Sequence, residues 1–556
     1  MKENWVLSPK VDKAQSIAAE LKIHPAVVSI LLRRELKDSP EISRFLNPSI
    51  DSLESPFAFR DMRKAVDRIK AAIAGKERIL VYGDYDVDGV TGSAILYPIL
   101  RKMGADAEAY IPHRMNEGYG LNQESLEKLL KKKFSLVITV DNGITGVKQI
   151  DFLNEKGVDV IIVDHHMPKE EMPRAYAIVS ACAGGQGDPN LAACGLAFKV
   201  GWALLGDFEA VREYLDLVTI GTVADIAPVL GDNRVLLKHG LPLVSKTKRV
   251  GLKALIERAK LPRNLSYRDI AFGIGPRINA SGRMGSPENA FKLLTTDNKL
   301  AAQNLAQILE EGNRDRQRVE TTAFEEALER VEQEMLAQTE KIFVLENADW
   351  HEGVLGIVAS RLVERYQRPS IVISVKQGMG KGSGRSVPHF SLFDFVLKCE
   401  DLLVNFGGHA QACGLTIKEA NIPTFRNRLN QVVSEHGVSK FSSPLTIEAE
   451  LSLRELDLKF LQDLEKLAPF GPGNKKPLFL SRGLKLKGEP KKRGKDTLQC
   501  WMTDEAGKTT CEVIGFRAFS RWGATKTKPV FDVVHQPTLK EFNGITSIEL
   551  QLEDWN

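Results

Sequence analysis

Three apolar runs that each end in acidic residues constrain the fold of this chain most strongly. They are "RILVYG" (78–83), which leads to Asp84, Asp86 and Asp88; "SLVITV" (135–140), which leads to Asp141; and "VDVIIV" (158–163), which leads to Asp164, His165 and His166. Because helical stretches separate these unbroken apolar runs, they predict a parallel sheet with both faces covered. The carboxyl ends of parallel strands meet at one edge, so we expect the acids to converge on one cleft.

The Asp-x-Asp-x-Asp-Gly pattern that begins at Asp84 also resembles the start of a calcium-binding EF-hand loop. Such a loop needs a Glu at its twelfth position and a helix on each side. The residue at that position is Ile95, and the preceding segment is typical of a strand. An EF-hand is therefore excluded.

The acids at the strand ends, together with Asp225 in the apolar stretch "IGTVADIAPV", predict a metal site. Any single one of them could be a helix N-cap or a turn residue. As a group, five acids and two imidazoles at three strand ends would repel one another without a cation. Oxygen and imidazole donors favour Mn²⁺ or Mg²⁺, and so many acids suggest two ions, an arrangement suited to phosphodiester hydrolysis.

The composition places few further limits on function. A chain of 556 residues is long enough for three or four domains, and its six cysteines form no Cys-x-x-Cys pair. We therefore expect a reduced, cytoplasmic and monomeric protein, with no signal peptide and no membrane-spanning run. The net charge of +4 does not by itself indicate a nucleic-acid partner.

The sequence pattern predicts an α/β protein in five parts. These are an N-terminal helical segment before the first large domain (1–50), a parallel-sheet catalytic domain with the metal site (51–297), connecting helices (298–338), a second α/β domain (339–438) and a small OB-like β-barrel (439–556).

The order of the motifs "GDYDVDG", "DNG", "DHH" and "TVAD" resembles the DHH phosphoesterase superfamily. Five further motifs resemble the RecJ family of single-strand-specific exonucleases: "GPRINASGR" (275–283), "DWHEGVLGIVASRL" (349–362), "GSGRS" (382–386), "FGGHAQACG" (406–414) and "PFGPGNKKPLF" (469–479). The resemblance covers residues 55 to 480. It implies a DHH domain, a DHHA1-type second domain, and 5′→3′ hydrolysis of single-stranded DNA to 5′ mononucleotides in DNA repair and recombination.

The resemblance also implies roles for individual residues. The metal ligands it implies are Asp86, Asp88, Asp141, His165 and Asp225, with Asp141 as the bridging carboxylate. His166 would contact the scissile phosphate, and Asp164 would orient an imidazole. Many superfamily members carry a His where this chain has Tyr82, a poor ligand, so Asp84 is a further candidate ligand.

Cationic and polar residues in the later motifs are candidates for holding non-scissile phosphates. They are Arg277, Asn279 and Arg283 on an expected Gly-rich loop; His351; Lys381, Ser383, Arg385 and Ser386 on a second Gly-rich stretch whose N–H groups would be open to an anion; and His409. Gly-rich arginine loops can also do no more than turn the chain. A groove between the two α/β domains, too narrow for a duplex, would explain a preference for single strands.

The last domain combines basic and aromatic residues. Between Lys475 and Lys495 there are nine basic residues and one acid, and we expect Lys475, Lys476, Lys491, Lys492 and Arg493 to bind DNA. The aromatic residues around this run are Phe460, Phe470, Phe479, Trp501, Phe516 and Trp522. The charge run could also be a solvated face.

Two other functions are compatible with parts of the sequence. Smaller DHH proteins cleave cyclic dinucleotides, very short oligonucleotides or pyrophosphate, but they lack a barrel like the one expected after residue 440. A non-catalytic DNA-binding scaffold would not need the intact acid set. Single-stranded DNA is the expected partner, and the family resemblance adds a single-strand-binding protein and a helicase.

Overall fold

The computed structural model describes residues 4–169, 171–436, 441, 444–523, 529–542 and 545–556. The chain forms two compact units, one of residues 54–227 and 239–442, the other of residues 1–53, 228–238 and 443–556. The predicted boundary at residues 438 and 439 lies outside the described residues. No helix within the described ranges is long and apolar enough to cross a membrane.

A five-stranded parallel sheet lies in the first part of the larger unit. Its strand order is Asp106–Tyr110, Arg78–Tyr82, Leu136–Val140, Asp159–Val163 and Ala177–Val179. The helices packed against it are Met62–Ala74, Val87–Lys102, Val147–Glu155 and Ala193–Leu205. The central three strands are those expected from the sequence, whereas the edge strands "DAEAY" and "AIV" are too short or too polar to stand out.

The helix after the strand Arg78–Tyr82 begins at Val87. Asp86 caps it, because its Oδ1 accepts hydrogen bonds from the N–H groups of Asp88 (2.9 Å) and Gly89 (3.2 Å). A Cβ on Gly89 would lie 2.5 Å from the backbone nitrogen of Asp84, so glycine allows the helix to start directly against the strand end. This close start places all three acids of the motif at one edge of the sheet.

Helices make up the rest of the catalytic part. They are Arg114–Glu117, Gln123–Leu130, Leu215–Ala224, Gly231–Ser245, Val250–Arg258, Tyr267–Asp269, a π-helix at Ile270–Ile274, Gly275–Met284 and Glu288–Thr295. The expected connecting helices are one 35-residue helix, Lys299–Gln333, and one short helix, Leu336–Thr339.

The motif "GPRINASGR" is helical, so the prediction of a Gly-rich loop there is wrong. Pro276 lies in the first turn of the helix, where proline is tolerated. A Cβ on Gly282 would lie 2.9 Å from the carbonyl oxygen of Tyr85. Glycine therefore serves close packing here and not a turn.

The second α/β domain contains a mixed five-stranded sheet. Its order is Leu403–His409, Ala412–Lys418, Met379–Arg385, Ser370–Lys376 and Phe343–Asn347. Its helices are Leu355–Tyr366, Leu392–Leu397 and Ile422–Glu435. The Gly-rich stretch is the central strand of this sheet and pairs on both sides, so the prediction that its N–H groups are open to an anion is wrong.

Glycine alternates along that strand for a packing reason. A Cβ on Gly380 would lie 2.8 Å from Ile373, and one on Gly384 would lie 2.6 Å from the sulfur of Cys413. Since side chains alternate across a strand, Lys381, Ser383 and Arg385 share the opposite face.

The smaller unit contains the barrel. Its strand order is Ala449–Glu450, Phe479–Leu486, Phe531–Phe542, Ile545–Trp555, Thr510–Gly515, Thr497–Thr503 and Lys491–Arg493, and Phe479–Leu486 also pairs with Thr497–Thr503 to close it. The helices Leu458–Glu465 and Phe519–Trp522 complete this part. Five strands closed in this way match the expected OB-like barrel.

The N-terminal segment packs with the barrel and does not precede the first domain as an independent element. Its helices Ala14–Leu21, Pro25–Arg33 and Ser39–Leu46 share one apolar core with barrel residues such as Leu451 and Phe460. Its strand Trp5–Leu7 pairs in parallel with Leu445–Ile447. Sequence distance hides this arrangement, because the paired strands lie more than 400 residues apart.

Arg234 fixes the short segment 228–238 within the smaller unit. Its buried guanidinium stacks on Phe45 and donates hydrogen bonds to the carbonyl oxygens of Phe45 (2.9 Å), Leu467 (2.8 Å), Lys466 (3.1 Å) and Ala468 (3.2 Å). Several buried carbonyl groups therefore depend on one side chain.

Replacing Arg234 by Met should destabilise this unit by about 2–4 kcal/mol, because it removes four hydrogen bonds to largely buried carbonyl groups and the contact with Phe45. Amide hydrogen exchange of the barrel strands during guanidinium unfolding measures the effect. Arg44→Met, at an exposed arginine of the same unit, is the matched control. Equal protection in the two variants would contradict the assigned role.

Candidate active site

Asp84 lies at the carboxyl edge of the parallel sheet and is almost completely buried. Neither of its carboxylate oxygens has a hydrogen-bond partner. Burial raises the pKa of Asp84 well above its usual value, and the nearby Asp86 raises it further. Two buried acceptor oxygens without donors fit a cation.

Asp88 is held by the start of the helix Ala193–Leu205. Its carboxylate accepts hydrogen bonds from the N–H groups of Ala193 (2.7 Å) and Cys194 (2.9 Å). Free N–H groups at a helix start favour a negative charge, which fixes this carboxylate in place. Burial raises the pKa of Asp88, while His165 acts in the opposite direction.

Asp141 directly follows the strand Leu136–Val140. Its backbone lies in the left-handed region, with φ of 65°. Asp tolerates this conformation better than most residues. The Oδ1 of Asp141 is buried without a hydrogen-bond partner and lies 3.3 Å from the Nε2 of His165. Burial and the nearby acids Asp86 and Asp88 raise the pKa of Asp141 well above its usual value.

His165 lies between residues from distant parts of the sequence. Its Nε2 is 3.8 Å from Asp88 Oδ2 and 3.9 Å from Asp225 Oδ2. Asp225 reaches this point from the end of the helix Leu215–Ala224. Burial, with Asp88 and Asp86, raises the pKa of Asp225 to about 9.

The ligand atoms of these residues form three adjoining groups, each with atoms within 4.8 Å of one another. The groups are Asp84, Asp86 and Asp141; Asp141, His165 and His166; and Asp88, His165 and Asp225. Asp141 and His165 each belong to two groups. The donors are carboxylate oxygens and imidazole nitrogens, which suit Mn²⁺ or Mg²⁺.

His166 is oriented by Asp164. The Nδ1 of His166 lies 2.7 Å from Asp164 Oδ1, while Asp164 Oδ2 accepts a hydrogen bond of 3.1 Å from the N–H of Ile144. The carboxylate raises the pKa of His166 against the opposing effect of burial. The side chain of His166 is 40% exposed, so a ligand can reach it.

Tyr119 is an additional neighbour that the sequence analysis missed. Its hydroxyl lies 3.2 Å from the Nδ1 of His166, and half of its surface is exposed. The glycines on both sides, Gly118 and Gly120, have positive φ. The "GYG" pattern is a signal for such a turn, but it does not reveal what the ring contacts.

Tyr82 points away from the acids. It is fully buried in an apolar cluster, and its hydroxyl donates a 3.4 Å hydrogen bond to the carbonyl oxygen of Gly120. It is therefore separate from the three ligand groups, while Asp84 belongs to one of them.

Three arginines of the larger unit come from different parts of the sequence, and the charge of one of them acts on Asp84. Arg114 lies over the ring of Tyr85, and its charge opposes the rise in the pKa of Asp84. Arg283 donates a 3.0 Å hydrogen bond to the carbonyl oxygen of Gly353. Arg385 donates one of 3.1 Å to Ser383 Oγ.

The charges of these arginines affect one another. Burial lowers the pKa of Arg283 to about 10, and the charges of Arg114, Arg316 and Arg385 lower it further. Arg316 is paired with Glu320, whereas the other three converge without an ion pair to any acid among the described residues. Partly buried cations that repel one another favour a bound anion. We refer to Arg114, Arg283 and Arg385 as the arginine cluster; Arg114 was not expected from the sequence.

Gly356 makes room for this cluster. A Cβ there would lie 2.8 Å from Nη2 of Arg385 and 3.1 Å from Oγ of Ser383. The glycine lies at the start of the helix Leu355–Tyr366, which packs on the central strand of the second sheet. The motif "GVLGIVAS" therefore shapes the space around the guanidinium.

The other candidate phosphate ligands have different surroundings. Arg277 forms an ion pair with Glu310 and donates to the carbonyl oxygen of Gly273, which engages its guanidinium within the protein. Lys381 lies 3.1 Å from Glu352. Ser386 donates to the carbonyl oxygen of Phe390.

The two histidines and Asn279 remain near the protein surface. His351 Nδ1 accepts a 3.0 Å hydrogen bond from the N–H of Gly353, the residue whose carbonyl receives Arg283. His409 is exposed at the end of its strand. Asn279 is half-buried in the helix Gly275–Met284.

The barrel presents part of the expected basic and aromatic surface. Lys491, Lys492 and Arg493 form an exposed edge strand beside a cavity of about 240 Å³, which Trp501 also lines. Trp501 is 49% exposed and Phe516 is 59% exposed. Lys475 is exposed, and Lys476 is half-buried.

Not all of the aromatic residues near the basic run are accessible for stacking on bases. Phe460, Phe479 and Trp522 are buried in the barrel core, where apolar packing holds them. In a small barrel, aromatic residues are needed to fill the core. Composition alone therefore cannot distinguish core residues from residues that contact a ligand.

Family comparisons match the parts of the chain separately. The model of the DHH family N-terminal domain matches residues 78–222, that of the DHHA1 domain residues 339–435, and that of the RecJ OB domain residues 447–554. These ranges correspond to the parallel sheet, the second α/β domain and the barrel.

Solved structures of the family share this fold. The crystal structure of RecJ in complex with Mn²⁺ from Thermus thermophilus matches with a TM-score of 0.85 at 30% identity, covering 100% of this chain and 80% of that one. The Mg²⁺ complex from the same source matches with a TM-score of 0.76 at 28% identity, covering 99% and 78%.

Curated relatives extend the match to whole sequences. The single-stranded-DNA-specific exonuclease RecJ of Bacillus subtilis is 35% identical, covering 100% of this chain and 71% of the relative. The Haemophilus influenzae protein of the same name is 30% identical, covering 95% and 96%. The chain therefore belongs to the RecJ family of single-stranded-DNA-specific exonucleases.

Proposed function

We propose that this protein is a metal-dependent exonuclease that hydrolyses single-stranded DNA from the 5′ end to 5′ mononucleotides, in DNA repair and recombination. The observation that carries this proposal is the convergence of unpartnered buried acids and His165 at one sheet edge, together with the arginine cluster, whose member Arg114 acts on Asp84. The cluster of acids is suited to binding two cations, and the arginine cluster is suited to binding a phosphate of the DNA strand that is hydrolysed. Family membership supports the substrate class.

Asp84, Asp86, Asp88, Asp141, His165 and Asp225 are the proposed metal ligands. Bound Mn²⁺ or Mg²⁺ ions would activate water and neutralise charge on the phosphate. The acids are fixed before any ion arrives, because Asp88 is held by two N–H groups and Asp86 caps its helix. This preorganisation reduces the rearrangement needed for binding.

His166 is proposed to donate a hydrogen bond to a phosphate oxygen. Asp164 keeps its ring in place and favours the protonated form. A donor aimed at the oxygen where charge accumulates stabilises the transition state. Asp164 thus acts through His166 and does not contact the substrate itself.

The arginine cluster is proposed to bind a terminal, non-scissile phosphate. Arginine forms bidentate contacts with phosphate, and the close approach of several guanidinium groups is relieved by an anion. Binding the 5′ phosphate next to the metal ligands would place the first phosphodiester at the reactive position and so set the 5′→3′ direction. Ser383, His351 and His409 are proposed as secondary contacts, as are Asn279, Lys381 and Ser386, while Arg277 has a structural partner in Glu310.

The exposed edge strand Lys491–Arg493 and Trp501 of the barrel are proposed to bind the single-stranded DNA further from its 5′ end. Lysine and arginine follow the backbone while an exposed indole stacks on a base. The family resemblance alone supports a single-strand-binding protein and a helicase as further partners. A monomeric, cytoplasmic enzyme stays an expectation, to which the cysteine pattern contributes. A dinucleotide phosphodiesterase would not need a barrel that binds a longer strand.

Asp141→Ala should reduce Mn²⁺-dependent hydrolysis of a long single strand to about one hundredth of wild type or less, because Asp141 belongs to two ligand groups. Single-strand binding should be largely kept. A quenched-flow digestion and a filter-binding assay measure the two properties. Asp151→Ala, at an acid paired with Arg174 on the surface, is the control; unchanged hydrolysis in Asp141→Ala would remove this residue from the mechanism.

Arg385→Met should raise KM for a 5′-phosphorylated strand about 10- to 100-fold, since a charge-assisted contact with phosphate is lost. The same variant should differ little from wild type on a 5′-hydroxyl strand. Steady-state kinetics on the two substrates give the comparison, with Arg365→Met as the exposed control. An equal loss on both substrates would show that Arg385 does not read the terminal phosphate.

A further inference from the structure

Ile226 has an unfavourable backbone conformation directly after the proposed ligand Asp225. Its φ is 64°, a value at which β-branched residues are rare because their side chain collides with the backbone. The helix Leu215–Ala224 ends here with the two hydrogen bonds of a Schellman motif. They run from Ile226 N–H to Val223 O (3.3 Å) and from Ala227 N–H to Thr222 O (3.2 Å). This ending usually places a glycine where Ile226 stands.

Packing does not explain the isoleucine. Its surface is 68% exposed, so it contributes little to an apolar core. Among the residues that the structure describes, Ile226 is the one β-branched residue with positive φ. An exposed aliphatic side chain at a strained position gives the folded protein no evident stability.

The position of Ile226 suggests a function that accounts for its strained backbone. Asp225 Oδ2 lies 3.9 Å from His165 Nε2, so the next residue stands at the rim of the metal-ligand cluster. Strained residues that persist near a catalytic centre point to a function. A single strand offers apolar base faces, which any aliphatic or aromatic side chain can contact.

We propose that Ile226 contacts the substrate, packing its side chain against the base of the nucleotide that is being released. The contact holds this nucleotide while its phosphodiester lies at the metal ligands. Because an apolar contact does not distinguish base edges, it suits an enzyme that accepts any sequence. The inference rests on the proposed exonuclease function.

Ile226→Gly tests the proposal together with a matched control. Lys260 ends the helix Val250–Arg258 with φ of 53° and the same two hydrogen bonds, from its N–H to Glu257 O (3.1 Å) and from Leu261 N–H to Ile256 O (3.2 Å). Glycine at either position should leave Tm equal or higher. Only Ile226→Gly should raise KM for a single strand, by about tenfold, the size of one lost base contact, with kcat little changed.

Two further comparisons separate a base contact from a general defect. Ile226→Val, which keeps a β-branched aliphatic side chain, should retain a KM close to wild type. On a strand whose 5′-terminal nucleotide is abasic, wild type and Ile226→Gly should have the same KM.

An unchanged KM in Ile226→Gly, an equal loss on the abasic strand, or a lowered Tm would each overturn the inference. Wild-type digestion of the same strand in Mn²⁺ reports separately on the proposed function. If the wild type is active and the KM of Ile226→Gly is unchanged, the base contact alone is refuted. An inactive wild type refutes the exonuclease proposal.

Discussion

Mutual repulsion among buried carboxylates at one sheet edge is the constraint on which the rest of this structure depends. Burial raises the pKa of Asp84, Asp141 and Asp225, and none of these three acids has an ion-pair partner in lysine or arginine among the described residues. Such an arrangement is unfavourable unless cations occupy it. Much of the surrounding sequence can be understood as holding these acids in place: a helix cap at Asp86, a helix start at Asp88, and a glycine at 89 that brings helix and strand together.

The same unit brings opposite charges near each other without pairing them. Arginines from a short helix, from the helix Gly275–Met284 and from the central strand of the second sheet affect one another electrostatically, and the charge of Arg114 also acts on Asp84. Glycines at 282 and 356 allow this convergence by removing side chains where the backbone of one element meets another. A substrate with a phosphate at each end of one nucleotide could then satisfy both clusters at once.

Sequence patterns predicted the sheet and its acid edge because apolar strands and the residues after them carry a local signal. The predictions failed where glycine served packing. "GPRINASGR" is a helix and "GMGKGSGRS" is a paired strand, although both read as open loops. Arg114 and Tyr119 were missed because their importance comes from neighbours distant in sequence, Arg283 and His166. The association of the N-terminal helices with the barrel likewise depends on contacts between opposite ends of the chain.

Calorimetric titration of metal-free protein with Mn²⁺, repeated in buffers of different ionisation enthalpy, tests the central claim most directly. Because burial raises the pKa of Asp84, Asp141 and Asp225, we expect metal binding to release protons from these acids. The account predicts two bound ions for each chain, with proton release that decreases when Asp84 and Asp225 are both replaced by Asn. Binding without proton release, or no binding at all, would contradict it.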